Sequence, residues 1–154
     1  MQHIEKYSGD ELAVACANAM WAEDRVAQNL KMKLDLISQG TAQISMPVSV
    51  DMINGHEICH GGYIFILADS SFAYACNSHN QFCVAQHCDI SFLRTVKKND
   101  TLTALASERV RQGRTGIYDI TVTNQLLEIV AEFRGISRTI KGEFIPQQKK
   151  TSGE

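Results

Sequence analysis

The sequence predicts an α+β fold, an antiparallel sheet of five or six strands wrapped around one long central helix. Three observations lead there. Apolar and polar residues alternate with period two in several stretches on either side of the chain's middle. Between them the run from Gly61 to about Ser78 is apolar on every side, and a helix of that kind has to be enclosed by other structure. No internal repeat interrupts this order, and 154 residues suit one domain covering 1–154.

The elements follow in chain order. Ser8-Gly9-Asp10-Glu11 reads as a capping box, in which a hydroxyl and a carboxylate satisfy free backbone N–H groups. Leu12, Ala15, Cys16, Ala19 and Met20 recur behind it at helical spacing, and Asp24 to Leu30 forms a second short helix, so the N-terminal helical region covers about 8–30. The core then runs over about 31–140. Met32, Leu34 and Leu36 alternate with charged residues, Gln39-Gly40 turns the chain, and Ala42, Ile44, Met46 and Val48 alternate again as the second arm of a hairpin. Pro47 has no N–H to give a ladder, so it belongs at a strand end or edge.

The central run of about 18 residues makes a rod of roughly 27 Å. Beyond it, strands are expected over Phe82–Leu93, Thr101–Arg111, Ile117–Thr123 and Glu128–Ile140. Leu102, Ala104, Ala106 and Val110 share one face of the second of these. Polar connections lie at Arg94–Asp100, Gln112–Gly116 and Asn124–Leu127. Lys141–Glu154 is a polar tail, expected to fray.

Composition narrows the function. With 44% hydrophobic and 21% charged residues and a net charge of −2, a general attraction to nucleic acid or to anionic membrane is not indicated. Tyr63 to Cys76 is too short for a membrane span and is interrupted by Asp69. Five cysteines, an odd number in apolar surroundings, fit reduced thiols in the cytoplasm better than a disulfide framework. Cys59, His60, Cys83, His87 and Cys88 show no C-x2-C spacing, so no metal site is expected. Adjacent Cys59 and His60 are poorly disposed to form a nucleophilic dyad.

The element order, together with Asn54-Gly55-His56, His60-Gly61-Gly62 and Ala68-Asp69, resembles the hotdog-fold acyl-CoA thioesterases. Further stretches, "ADSSFAYACNS", "DISFLR", "DTLTA", "RTGIYDI" and "FRGISR", resemble the PaaI-type, phenylacetate-degradation branch, also called hydroxyphenylacetyl-CoA thioesterases. The resemblance covers about residues 10 to 140. It implies a hotdog fold, hydrolysis of a CoA thioester with an aromatic acyl group, and no cofactor. It also implies a homodimer at minimum, with a homotetramer of two dimers typical of this branch.

Thioester hydrolysis needs a carboxylate to attack or to activate water, and donors for the developing oxyanion. Asp69 is the obvious carboxylate. Its residue type alone fits an interior cap equally well, and the resemblance implies nucleophile or general base. Gly61 stands where a helix begins and its N–H lacks an intrahelical partner; the resemblance makes that amide the group polarising the carbonyl. Asn54 is a turn residue by composition and, by resemblance, orients water or thioester. His60 and Gly62 belong to the substrate-binding loop, with His60 expected to hold it rather than to transfer protons. Arg94, Lys97, Arg111 and Arg114 are candidates for the CoA phosphates, and Tyr63, Phe65 and Phe72 for the acyl pocket. In hotdog enzymes the site lies between subunits, so Asp69 is expected to face Asn54 and Gly61 of a second copy. The competing readings are a fatty acyl-CoA thioesterase, a hydratase, which lacks its paired His here, and a non-catalytic acyl-CoA sensor.

Overall fold

The computed structural model describes Tyr7 and residues 9–146. Helices α1 (Gly9–Trp21) and α2 (Arg25–Asn29) lead into the hairpin β1 (Lys33–Ser38) and β2 (Thr41–Pro47). Helix α3 (Gly61–Cys76) follows, and then four strands: β3 (Cys83–Phe92), β4 (Thr101–Gln112), β5 (Thr115–Thr123) and β6 (Ile129–Thr139). They form one sheet in the order β1-β2-β4-β5-β6-β3, every neighbouring pair antiparallel. Helix α3 packs on this sheet, most heavily on β2, β4 and β5. The hotdog architecture read from the sequence is the one observed.

Small side chains let the helix come close. Ala42, Ala104 and Ala106 are fully buried beneath it, and the buried Ser71 hydroxyl donates a shared hydrogen bond to the carbonyls of Ala42 at 2.9 Å and Ala104 at 3.0 Å. That bond ties α3 to the neighbouring strands β2 and β4 while satisfying a buried polar group. On the other side, Tyr74 donates to Asp24 Oδ2 at 3.0 Å, and Asp24 Oδ1 caps α2 by accepting from Ala27 N. Pro47 closes β2 as its last residue.

Four expectations need correction. Leu36 does not share the inward face of Met32 and Leu34, because a bulge between Leu34 and Leu36 reverses the alternation and leaves Leu36 exposed. Val110 is likewise turned out of the core by a bulge between Glu108 and Val110, and it pairs with Ile117 on the outer side. The Gln112–Gly116 turn is tighter than expected: only Gly113 and Arg114 lie between β4 and β5, with Gly113 at φ +60°. The start of the tail is held, since Phe144 and Ile145 donate their backbone N–H groups to Asn80 Oδ1. Ser8 of the capping box and residues 147–154 lie outside the described residues.

Phe72 belongs to the core. It is 1% exposed and stacks at tilted angles with Tyr118 and Phe133. Gly135 on β6 runs directly beneath its ring, and a Cβ there would lie 2.7 Å from three ring atoms. Gly135→Ala therefore overpacks the centre of the molecule and is expected to lower stability by about 1–3 kcal/mol. Urea unfolding measures this; an unchanged midpoint would mean that the Phe72 ring moves aside freely.

Candidate functional site

The first turn of a helix carries backbone N–H groups with no intrahelical acceptor. At the start of α3, the His60 carbonyl takes the Tyr63 N–H at 3.0 Å, and His60 Nδ1 takes the Gly62 N–H at 2.9 Å. That cap requires a bare Nδ1 and so puts the ring proton on Nε2. His60 thus holds the helix entry, as expected of it. The Gly61 N–H, the first of the helix, precedes the two satisfied groups and meets no acceptor among the described residues. It sits at the positive end of the helix dipole. Gly61 is a glycine for space: a Cβ would lie 3.0–3.5 Å from three atoms of the Phe92 ring.

Asn54 opens the loop that leads to this turn. Its Oδ1 accepts from His56 N at 2.9 Å and more weakly from Ile58 N at 3.5 Å, so the residue does make the turn its type suggests. Its Nδ2 is not engaged by any described residue and remains a donor. Asn54 and Gly61 line one cleft of about 360 Å³, together with Ile58, Ile64, Phe92 and Arg94. Two residues with unengaged donors therefore line a largely apolar cavity, an arrangement that can polarise one carbonyl.

Asp69 is not in this cleft. It lies eight residues along α3 from Gly61, about 12 Å at the rise of a helix. No hydrogen bond or ion pair reaches its carboxylate among the described residues, and burial pushes its pKa above the usual carboxylate value. Cys88 on β3 is close enough that the Asp69 charge, after burial, helps to push its thiol up to about 11. With Gly62, Ile66, Ser70 and Ala73, Asp69 forms a stripe of α3 that the sheet covers only in part. The helix expected to be enclosed on every side is partly open on one.

The cations divide between two places. Arg94 lines the cleft and pairs with Glu128 at 3.0 Å; Lys97 is exposed on the same connection. Arg111 contacts Gln81, and Arg114 donates to the Thr139 carbonyl, so both sit by the far end of α3. A Cys59–His60 dyad is not formed: His60 Nδ1 is taken by the cap, the Cys59 thiol points to the His60 carbonyl, and burial pushes it up to about 11. Phe72 is a core residue and Phe65 packs on Phe133, so neither lines the cleft, and Tyr63 faces the His60 ring. The aromatic wall of the cleft is Phe92, which is 52% exposed. The signal for it was an aromatic residue closing a strand just before Arg94 in "DISFLR".

Comparison with known proteins identifies the family. Residues 56–130 match the family described as the thioesterase superfamily. The acyl-coenzyme A thioesterase PaaI of Escherichia coli is 46% identical over 126 residues, covering 82% of this chain and 90% of that protein. The chain belongs to the thioesterase superfamily, in its PaaI-type branch. The solved E. coli PaaI protein, from the phenylacetic acid degradation operon, superimposes with a TM-score of 0.87 at 44% identity, over 88% of this chain and 99% of that one. A Streptococcus mutans protein solved with acetyl-CoA bound follows at a TM-score of 0.69 and 27% identity, over 73% of this chain and 90% of that one. This chain is accordingly a thioester hydrolase. Among its described residues, no helix is long and apolar enough to cross a membrane.

A half-buried carboxylate with no partner weighs against the thioesterase's own stability. Its raised folded pKa means that the folded chain holds that proton more tightly than the unfolded chain. Stability then falls as pH rises from the unfolded value, about 3.9, through the folded one, and the penalty is fully present above that window. Asp69→Asn removes the charge at nearly constant shape. It is expected to raise Tm at pH 7, with the gap to the wild type closing at pH 3. An equal gap at both pH values would show that charge burial is not the cause.

Proposed function

We propose that this thioesterase hydrolyses acyl-CoA thioesters of the phenylacetyl or hydroxyphenylacetyl type, in sites completed by a second copy of the chain. One observation carries the reading. The free Gly61 N–H and the partnerless Asp69 carboxylate stand about 12 Å apart on one rigid helix, whereas attack on a carbonyl needs reacting atoms about 3–3.5 Å apart. Two half-sites on one rod serve a single thioester only if each meets the complementary half of another molecule. The partly open stripe around Asp69 and the unpaired edge of β3 beside it are where that molecule fits.

In this scheme the thioester carbonyl lies on the Gly61 N–H, with the Asn54 amide as second donor. Asp69 of the second copy, as nucleophile or general base, delivers the carboxylate or the water it activates. A pKa raised by burial makes this carboxylate a stronger base than an exposed one. Negative charge then collects on the carbonyl oxygen where the helix dipole and both donors point, and collapse expels the CoA thiolate. His60 and Gly62 hold the binding turn. Arg94 in the cleft and Lys97 on the same connection serve the CoA phosphates, and Arg111 and Arg114 of the opposing subunit supply the rest. The aromatic acyl preference is supported by the PaaI relative and by the Phe92 wall, and the CoA ester by the acetyl-CoA-bound relative. A homodimer is the minimum unit, and two such dimers form a tetramer. No cofactor is needed, and the site of action is the cytoplasm.

A panel of acyl-CoA thioesters with thiol-release detection tests the activity. Phenylacetyl-type esters are expected to exceed palmitoyl-CoA, and Asp69→Ala to lower the rate roughly 10²–10⁴-fold. The reverse order of esters makes this a fatty acyl enzyme, and binding without turnover makes it a sensor. Mixing Asp69→Ala with Asn54→Ala chains after unfolding and refolding tests the shared site. Roughly a quarter of wild-type activity should return, because half of random dimers are hybrids and each hybrid holds one intact site. Absence of any recovery would place both halves in one chain.

A further inference from the structure

Arg94 and Lys97 share one short connection, residues 93–100, and a single turn grips that connection at both ends. The turn joins β5 to β6 over residues 124–128. At one end of the connection, the Leu93 and Arg94 N–H groups reach the Val130 carbonyl at 2.8 and 3.3 Å, and Arg94 Nη1 meets Glu128 Oε2 at 3.0 Å. At the other end, Gln125 Nε2 donates to Asp100 Oδ1 at 2.8 Å, and Gln125 Oε1 accepts from Thr101 N at 3.1 Å. Asp100 Oδ2 in turn accepts from Lys97 N at 2.9 Å.

Glu128 is itself held. Asn124 is 8% exposed and commits its side chain to the turn: Oδ1 accepts from Leu126 N at 3.0 Å and Glu128 N at 3.1 Å, and Nδ2 donates to Glu128 Oε1 at 3.1 Å. Backbone bonds from Leu127 N to the Asn124 carbonyl and from Asn124 N to the Glu128 carbonyl close the loop. They keep Leu127 at φ +61°, a region that leucine rarely enters. One carboxylate oxygen of Glu128 is thus fixed by the turn, and the other is aimed at Arg94. Arg94 lines the cleft with Asn54 and Gly61. Its Nε and Nη2 meet no acceptor among the described residues, and together they form the planar fork that suits a phosphate.

We propose that Glu128 is a positioning residue for this thioesterase: it holds Arg94 by Nη1 and leaves the Nε–Nη2 edge free for a phosphate of the CoA ester. This rests on the reading of Arg94 as a ligand of the CoA phosphates and says how that ligand is oriented. An exposed ion pair adds little to stability, so the effect of this one lies in ordering Arg94 beforehand. A long side chain already ordered in the folded chain does not have to be ordered when substrate binds. A carboxylate that instead competed with the phosphate for Arg94 would have the opposite effect when removed.

Kinetics on two thioesters of the same acyl group test this, one of CoA and one of N-acetylcysteamine, which carries no phosphate. Glu128→Ala is expected to raise KM for the CoA ester roughly 3- to 10-fold, leaving kcat and both constants on the N-acetylcysteamine ester unchanged. Glu128→Gln should recover part of that loss, because it keeps an acceptor for Arg94 but turns an amide towards Asn124 Nδ2. Added to Arg94→Ala, Glu128→Ala should change KM no further. A lower KM for the CoA ester overturns the proposal by making Glu128 a competitor, and an equal loss on both esters overturns it by making the residue purely structural. If Arg94→Ala leaves KM for the CoA ester unchanged, the phosphate reading of Arg94 falls and the proposal with it. If Arg94→Ala raises that KM and Glu128→Ala does not, only the proposal falls.

Discussion

Everything in this structure follows from one rigid distance. An α-helix does not bend to bring residues eight apart together, so the Gly61 amide and the Asp69 carboxylate stay about 12 Å apart whatever the loops do. The sheet serves that rod. Alanines on β2 and β4 let it sit close, the Ser71 hydroxyl pins it to both strands, and the Phe72 ring resting on Gly135 fixes its height. With the helix so seated, its N-terminus opens into the cleft lined by Asn54 and Phe92, and its partly covered stripe turns Asp69 towards the β3 edge.

Two groups on that helix are left unsatisfied. An N-cap side chain accepts from the second or third N–H of its helix, and the His60 ring accordingly takes Gly62 and leaves the first N–H, that of Gly61, free. A half-buried carboxylate usually acquires a cation or a donor, yet Asp69 has none among the described residues. An idle donor and an idle acceptor on one element weaken the folded chain slightly. In the proposed scheme they are the two ends of a reaction in which a substrate supplies what each lacks.

Much of the fold was legible because its long signals are local. The all-round apolar run and the alternation in β5 report their elements without ambiguity, and Asp69 draws the eye because a charge is out of place there. What could not be read has a common physical origin. A β-bulge inserts one residue and reverses every later side chain, which is why Leu36 and Val110 were misplaced and why Cys83 and Cys88 share a face. The partly open stripe of α3 was hidden because residues such as Ile66 and Ala73 are apolar whether they meet the sheet or a second molecule. Arg111 and Arg114 were grouped with Arg94 by charge, although the strands carry them to opposite ends of the helix. Asn54 was read as either turn or donor, and its two side-chain atoms allow both.

The edges of the sheet bring these threads together. An unpaired strand edge is a template for unwanted pairing, and proteins blunt it with shortness, bulges and charge. At six residues, β1 is short, with a bulge at its middle and Lys33 and Asp35 exposed. The other edge, β3, has ten residues, and after its bulge a regular run from His87 to Phe92 leads into exposed Phe92 and Leu93. That edge has a bulge and an exposed His87–Asp89 pair of its own, but it is long and unpaired in the single chain and lies beside the partly covered stripe of α3. In the proposed dimer one contact answers both problems, pairing the edge and carrying each Asp69 across to the other copy's Gly61. In that proposal the need for a second chain rests on the sheet as well as on the chemistry.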